Sequence, residues 1–331
     1  ETVALKGDLD CLEKRSDFVR QNSSSCNFST SDSWVILSPI EQSIKRKIES
    51  IGTPLKEWDI QINYGIKTGF NDAFIISTEK RNEILNNCTS EEERKKTDEL
   101  IRPILRGRDI KRYGYNWADL WLINTHNGIK EKNIPRIDIN FYPAVKKHLD
   151  DYFEKLLSRT DKGDTPYNLR NCAYMDDFFK PKIYWAELAR TGNSFIFTEE
   201  KIMAIAGVFI LTMSDVLEKQ VGYKFLTMFL NCPIALFYFD MIYSKLDNTG
   251  WQWKKEPIEK LPIPLLNIDK QSKLLKLYDE LLKENYNKDE IIAKISLEIF
   301  SIFDLTKEEI NSVYERTIVF KNEFEIIKKI Y

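Results

Sequence analysis

Two hydrophobic textures divide this sequence, and the change between them limits the folds open to it. Over residues 55–265, short apolar or alternating runs sit between polar loops: Ala73-Phe74-Ile75-Ile76, Leu120-Trp121-Leu122-Ile123, Lys182-Ile183-Tyr184-Trp185, Phe195-Ile196-Phe197 and 204–212. Their β-branched and aromatic content predicts strands. After Asp269 the spacing becomes helical. Leu274, Leu275, Tyr278, Leu281 and Leu282 share one face, and Ile291, Ile292, Ile295, Ile299 and Phe303 share another. The strands do not alternate regularly with helices, which argues against a doubly wound parallel sheet. The expectation is an α+β protein, with a mixed sheet followed by a C-terminal helical region.

Helix starts are marked locally. Ser38-Pro39-Ile40-Glu41, Ser90-Glu91-Glu92-Glu93 and Thr306-Lys307-Glu308-Glu309 each have the spacing of a capping box. Residues 143–157 carry apolar side chains at helical spacing. Residues 223–243 are apolar nearly all round, so a buried helix is expected there. Asn231, Pro233 and Asp240 within that run suit a membrane poorly, and no membrane partner is expected. Gly52-Thr53-Pro54 stops the first helix, and Pro257, Pro262 and Pro264 break the chain before the last ones. The resulting division is 1–54 as a connector and opening helix, 55–265 as the sheet domain, and 266–331 as the helical region.

Lys and Arg number 49 and Asp and Glu 51, giving a net charge of −2, which excludes a uniformly basic nucleic-acid coater. Five cysteines without paired spacing argue against both a disulfide framework and a structural zinc site, and point to the cytoplasm. Two histidines, His126 and His148, leave little for histidine-based catalysis. Phosphate-cradling glycine loops, a G-x-S-x-G elbow and H-E-x-x-H are all absent, as is any Pro-Pro dipeptide of an amino-methyltransferase motif. Glu93-Arg94-Lys95 has the spacing of a nuclease motif but lies in a charge run, where a solvated helix face is expected. Asp150-Asp151 and Asp176-Asp177 point apart and make poor metal sites. No catalytic residue and no metal site is expected in this chain.

Binding features are present instead. In the segment 64–72, Gly65 and Gly69 permit unusual backbone geometry, while Lys67, Thr68 and Asn71 offer polar groups; a ligand loop and an ordinary turn are equally compatible. Residues 100–136 hold eight Lys or Arg against three acids, a local balance of +5 that includes Arg106, Arg108, Lys111 and Arg112. Arginine can clamp phosphate or read guanine, so anion binding is expected, against pairing of these arginines with Asp109 or the acidic helix 91–99. The segment 158–171 is a long polar loop carrying Arg159, Lys162, Asn168 and Arg170, suited to ordering on a partner or simply to solvation. Lys245, Asn248, Gly250, Trp251, Gln252 and Trp253 form a further polar and aromatic cluster, whose indoles are expected in the core.

The order of these segments resembles one family. Gly65-Ile-Lys-Thr-Gly-Phe-Asn-Asp-Ala-Phe-Ile-Ile76 and Ile101-Arg-Pro-Ile-Leu-Arg-Gly-Arg-Asp-Ile110 come first, then Lys180-Pro-Lys-Ile-Tyr-Trp185, Gly250-Trp-Gln-Trp-Lys254 and Leu261-Pro-Ile-Pro264. Together they are similar to the TaqI-like C-terminal specificity domain of adenine DNA methyltransferases, in particular of type IIG (Eco57I-like) restriction-modification enzymes. The resemblance spans roughly residues 34–320, and its first two segments are the most specific.

The resemblance implies a target-recognition domain for double-stranded DNA. A methyltransferase domain would lie N-terminal to this chain and would hold S-adenosylmethionine, so no cofactor is expected here. The parent enzyme would methylate adenine N6, with DNA cleavage as a further activity left open. Lys67, Arg106, Arg108, Lys111 and Arg112 are the expected phosphate contacts. Asn71, Asn127, Arg159, Asn168, Arg170, Asn248 and Gln252 are the expected base readers, with Thr68, Lys162 and Lys245 beside them. Two other readings remain: a half-length type I-like specificity subunit acting as a dimer, and a protein-interaction domain with no DNA role.

Overall fold

A computed structural model describes residues 2–5, 23–26, 37–243, 250–283 and 287–330. The chain forms two compact units, both discontinuous in sequence. One joins 1–57, 232–248 and 257–331; the other joins 58–231 and 249–256.

The first unit is mainly helical. Helix Pro39–Ile51 starts at the expected capping box, with Glu41 N donating to Ser38 Oγ and Ser38 N to Glu41 Oε2 at 2.7 Å. The Thr306 box also forms, opening helix Lys307–Arg316. Helices Pro233–Ile242, Ser272–Leu281, Lys288–Ile302 and Lys321–Ile330 also belong to this unit. Gly52–Pro54 pairs antiparallel with Pro262–Pro264, so the proline-rich segment that breaks the chain is an edge strand. Thr2–Leu5 pairs antiparallel with Ser23–Cys26. Arg316 lies between two acids, donating to Glu41 Oε1 at 2.7 Å and to Asp240 Oδ2 at 3.0 Å. A buried pair of hydroxyls, Ser296 and Tyr314, donates to Glu323 Oε1 at 2.6 and 2.8 Å.

The second unit is built on two four-stranded sheets. One is antiparallel throughout, in the order Phe195–Thr198, Lys182–Ala186, Val208–Met213, Ile60–Tyr64. The other is mixed: Met203–Ala204 lies parallel to Ile101–Leu105, which pairs antiparallel with Leu120–Ile123, and that with Ile75–Ser77. The α+β class and the mixed sheet are therefore as the sequence indicates. The sheets join where Ile66 bridges Ile205, with Ile66 N donating to Ala204 O at 2.7 Å and Ala206 N to Ile66 O at 2.9 Å. Gly65 makes this crossing possible, because a Cβ there would lie 2.1 Å from Ile205 O. Its need for a bare backbone is thus met by protein, not by a ligand.

Several local expectations change. Ala73 and Phe74 belong to the short helix Asn71–Phe74, and the strand is Ile75–Ser77. The 204–212 run is two strands, Met203–Ala204 and Val208–Met213, separated by a turn with Gly207 at φ +91°. Residues 143–157 form two helices, Pro143–Asp150 and Phe153–Ser158. The apolar run 223–243 is also two helices, broken at Cys232–Pro233, because proline removes a donor and clashes with the preceding turn. Nearly all its side chains are buried, and among the described residues no single helix is long and apolar enough to cross a membrane. Ser90 caps helix Glu91–Leu100, but Glu93 does not return the bond to Ser90. Buried Glu93 instead accepts from Thr89 N at 2.8 Å and from Ala144 N at 2.9 Å, tying two helix starts together rather than facing solvent.

Candidate nucleic-acid interface

Within the second unit, the strand registers bring one set of strand ends together. Ala186 pairs with Val208, Tyr64 with Phe209, and Trp185 with Phe195. Leu105 pairs with Ala204, and Leu105 O accepts from Ile205 N at 3.2 Å. Lys67 and Arg106 therefore flank the segment 204–206 from either side. Arg106 begins a tight turn, and the Cβ direction of Gly107 faces Ala186 Cβ and Gly207 O, each at 3.3 Å. Trp253 N donates to Glu187 O at 2.8 Å, and Gln252 Nε2 to Glu187 Oε1 at 2.8 Å, so the 250–253 segment joins the same end. Trp253 packs edge-on to Phe195 at 5.5 Å and both indoles are buried, as expected of core residues.

The basic segment divides by environment. Arg106 donates Nε and Nη2 to the two carboxylate oxygens of Asp109 at 2.9 and 2.7 Å. Asp109 is buried, which alone would raise its pKa; its bonds to the Arg106 side chain and backbone outweigh that and hold it below the usual carboxylate range. Arg112 donates Nε and Nη2 to Asn231 O at 3.1 and 2.7 Å, a tie between the hairpin Ile110–Tyr115 and the core. These two guanidiniums, expected as phosphate contacts, are engaged by protein groups. Lys67, Arg108 and Lys111 are exposed, the last with Nζ 2.8 Å from Arg108 O. The +5 balance is reduced further by acids distant in sequence, since Lys132 pairs with Asp176 and Arg136 lies 3.5 Å from Asp164.

The 158–171 loop is stitched to its neighbours from within. Buried Arg159 donates to the carbonyls of Thr68, Pro166 and Asn168, the last two at 3.0 and 2.6 Å, with its guanidinium 4.5 Å from the Phe74 ring centroid. Burial lowers its pKa to about 10, so it stays charged at neutral pH. Asn168, 1% exposed, donates to Ile137 O at 2.9 Å and accepts from Thr165 Oγ1 at 2.6 Å. Asn127 Oδ1 accepts from Asp164 N at 2.8 Å, and its Nδ2 reaches Asp164 Oδ1 at 3.1 Å. Gly163 has no room for a side chain there, because a Cβ would lie 2.5 Å from Asn127 Oδ1. Gly69, at φ +71°, packs against Asp161 O, and buried Thr68 donates to Asn71 Oδ1 at 2.6 Å.

Arg159, Asn127 and Asn168, expected as base readers, and Thr68 beside them thus hold loops together with their polar atoms. The loop is an internally bonded surface. Asn71, Lys162 and Arg170 remain exposed, Arg170 with Asp161 Oδ1 at 3.0 Å. Gln252 is half-buried at the strand ends, and Lys245 and Asn248 lie outside the described residues. Among the described residues no cluster of His, Cys, Asp or Glu is arranged to hold a metal ion.

Residues 102–263 match the TaqI-like C-terminal specificity domain, so the family resemblance read from the sequence is borne out over that span. The segment 65–76 precedes the matched region. The fold is similar to that of MmeI, a type IIL restriction-modification enzyme whose structure was determined in complex with DNA. The TM-score is 0.50 at 13% identity, covering 84% of this chain and 36% of that one. It is equally similar to the type IIG restriction endonuclease BpuSI, with a TM-score of 0.50 at 13% identity, covering 86% and 33%. The chain thus spans about a third of the length of each, and at this identity the likeness is one of fold. No curated protein matches it in sequence.

Proposed function

We propose that this chain recognises a specific sequence in duplex DNA, as the specificity part of a type II restriction-modification enzyme of the IIG kind. The observation that carries this reading is the TaqI-like specificity domain over residues 102–263, in a chain where Lys67 and Arg108 are exposed just beyond strand ends of the second unit. The rest of such an enzyme, a methyltransferase domain N-terminal to this chain, would bind S-adenosylmethionine and methylate adenine N6. Any cleavage activity would be supplied by a further domain of the same polypeptide.

Within this reading, Lys67, Arg108 and Lys111 contact phosphates, which fix register without reading sequence. Asn71, Arg170 and Gln252 are the side chains assigned to base edges in this reading, since an amide suits adenine and a guanidinium suits guanine. Arg159, Asn127, Asn168 and Thr68 act one step back, by shaping the loops that carry those groups. The test is a bind-and-sequence selection from a randomised duplex pool at two salt concentrations. An enriched short motif, with capture falling steeply as salt rises, is the expected result. No enrichment at either salt, with this chain alone and with its upstream coding region fused, would refute DNA recognition.

A further inference from the structure

Where helix Glu91–Leu100 meets strand Ile101–Leu105, a cleft of about 260 Å³ opens in the second unit. Its apolar walls include Ile129, Ile137, Tyr142 and Phe179. Asn124 lines it, only 6% exposed, with neither end of its amide satisfied by an oxygen or nitrogen. Oδ1 has no partner, and Nδ2 has only the thioether of Met175 at 3.8 Å, a weak acceptor. A buried amide left in this state requires an explanation, such as a bound group.

The neighbouring polar groups narrow the chemistry. Arg102 sits over the Phe179 ring at 5.7 Å, and no carboxylate among the described residues pairs with it. His126 accepts from Gly128 N through Nδ1 at 3.1 Å, which leaves Nε2 as the protonated nitrogen of the neutral ring. Burial lowers the pKa of His126, so the ring is neutral at pH 7. Lys96 is engaged by Glu92 at 2.6 Å, and Asp176 by Lys132, leaving Glu99 as the remaining acid on the rim. An apolar ligand would leave the Asn124 amide unsatisfied. A simple anion would use Arg102 and none of the aromatic wall. A planar heterocycle bearing a phosphate uses all three: its edge matches the donor and acceptor of an amide, its face the apolar wall, and its phosphate a guanidinium.

We propose that this cleft binds a nucleoside monophosphate unit, with the base edge on Asn124 and the phosphate on Arg102. The unit would come either as a free mononucleotide or as an unpaired nucleotide of a DNA strand. This goes beyond recognition of paired duplex and does not depend on it.

The test titrates the full chain with dAMP, dGMP, dCMP, dTMP and inorganic phosphate, followed by calorimetry. At least one mononucleotide is expected to bind about tenfold or more tighter than phosphate, with Asn124→Ala and Arg102→Gln each weakening it by about tenfold. Arg102→Gln lies at a half-exposed position and decides the matter should Asn124→Ala fail to fold. A second arm compares a duplex carrying one bulged nucleotide with its fully paired parent. A preference for the bulge that Arg102→Gln abolishes identifies a DNA strand as the source; mononucleotide binding without that preference identifies the free nucleotide. The proposal is overturned if no mononucleotide binds better than phosphate, as an ordered water on Asn124 would predict, or if binding ignores the substitutions. Failure of paired duplex to select a motif would count against the DNA-recognition reading alone.

Discussion

Arg159 donates Nη2 to the carbonyl oxygen of Asn168 at 2.6 Å, and both side chains are buried. Asn168 in turn reaches the carbonyl of Ile137 at 2.9 Å. A cation thus gathers the carbonyls of two loops and an amide passes the connection to a third segment. The bonds run to main chain, so what they specify is loop shape. Backbone carbonyls at loop bends are hard to satisfy without water, and a guanidinium with donors in a fixed fork can serve several at once.

Replacing Arg159 by methionine should therefore cost about 2–4 kcal/mol, because it leaves three inward carbonyls without a donor. Urea denaturation gives the magnitude. Hydrogen exchange should speed at Gly163, whose N–H donates to Asn168 O at 2.9 Å, and at Leu169, whose N–H donates to Thr125 O at 2.9 Å. A loss of stability under 0.5 kcal/mol would show that solvent can replace the guanidinium, and the scaffold role would be withdrawn.

The sheet junction predicts a sharper effect. Gly65→Ala places a methyl where Ile205 O already lies at 2.1 Å, and that oxygen is fixed backbone. The strand must shift and break the bonds from Ile66 N to Ala204 O and from Ala206 N to Ile66 O. A loss of more than about 3 kcal/mol, or failure to fold, is expected. Gly207→Ala offers a control with open space around its Cβ, where only the positive φ is penalised, about 1–2 kcal/mol.

Much of the architecture was legible where local rules decide it. The Ser38 and Thr306 caps, the strands at 120–123, 182–186 and 195–198, and the buried indoles follow from spacing and residue type alone. The breaks at Cys232–Pro233 and at Ala206–Gly207 carried their signals, a proline and a glycine, within apolar runs that outweighed them. The discontinuous units could not be read, because pairing of Gly52–Pro54 with Pro262–Pro264 joins segments about 200 residues apart without a local mark. Site residues were least legible for the same reason. Arg, Asn and Thr suit nucleic acid and backbone carbonyls alike, and what decides between them at Arg159 is the nearness of Thr68, distant in sequence. The Arg106–Asp109 pair was the exception, since its spacing of three residues was visible.

Recognition of DNA through the strand ends separates two arginines only two residues apart. Arg108→Ala and Lys67→Ala should each weaken binding to every duplex alike and reduce the salt slope by about one, as loss of a phosphate contact does. Arg106→Ala should act on stability instead. It strips the side-chain partner from Asp109, which is 4% exposed, and a cost of about 2–4 kcal/mol is expected. Filter binding over a salt series, with thermal melts of the same three variants, distinguishes them. Equal effects of Arg106→Ala and Arg108→Ala on the salt slope would mean that the Arg106–Asp109 pair opens on DNA.

A pH signature follows from Lys182. Its side chain is fully buried on strand Lys182–Ala186, and Nζ donates to Lys180 O at 3.0 Å and to Glu200 O at 2.6 Å. Burial lowers its pKa from the usual 10.5 to about 8. Below pH 8 both folded and unfolded chains hold this proton, and the penalty for burying the charge is fully present. Between about pH 8 and 10.5 the folded chain has released the proton while the unfolded chain still binds it, so this group makes stability rise with pH. Buried tyrosines such as Tyr223, pushed up to about 12, act oppositely above pH 10, where the unfolded chain ionises first. The informative window is thus pH 7 to 9.5. Wild type should gain stability across it relative to Lys182→Met, which removes the titrating group. Parallel stability profiles for the two proteins, from urea melts at half-unit pH steps, would show that Lys182 keeps an ordinary pKa.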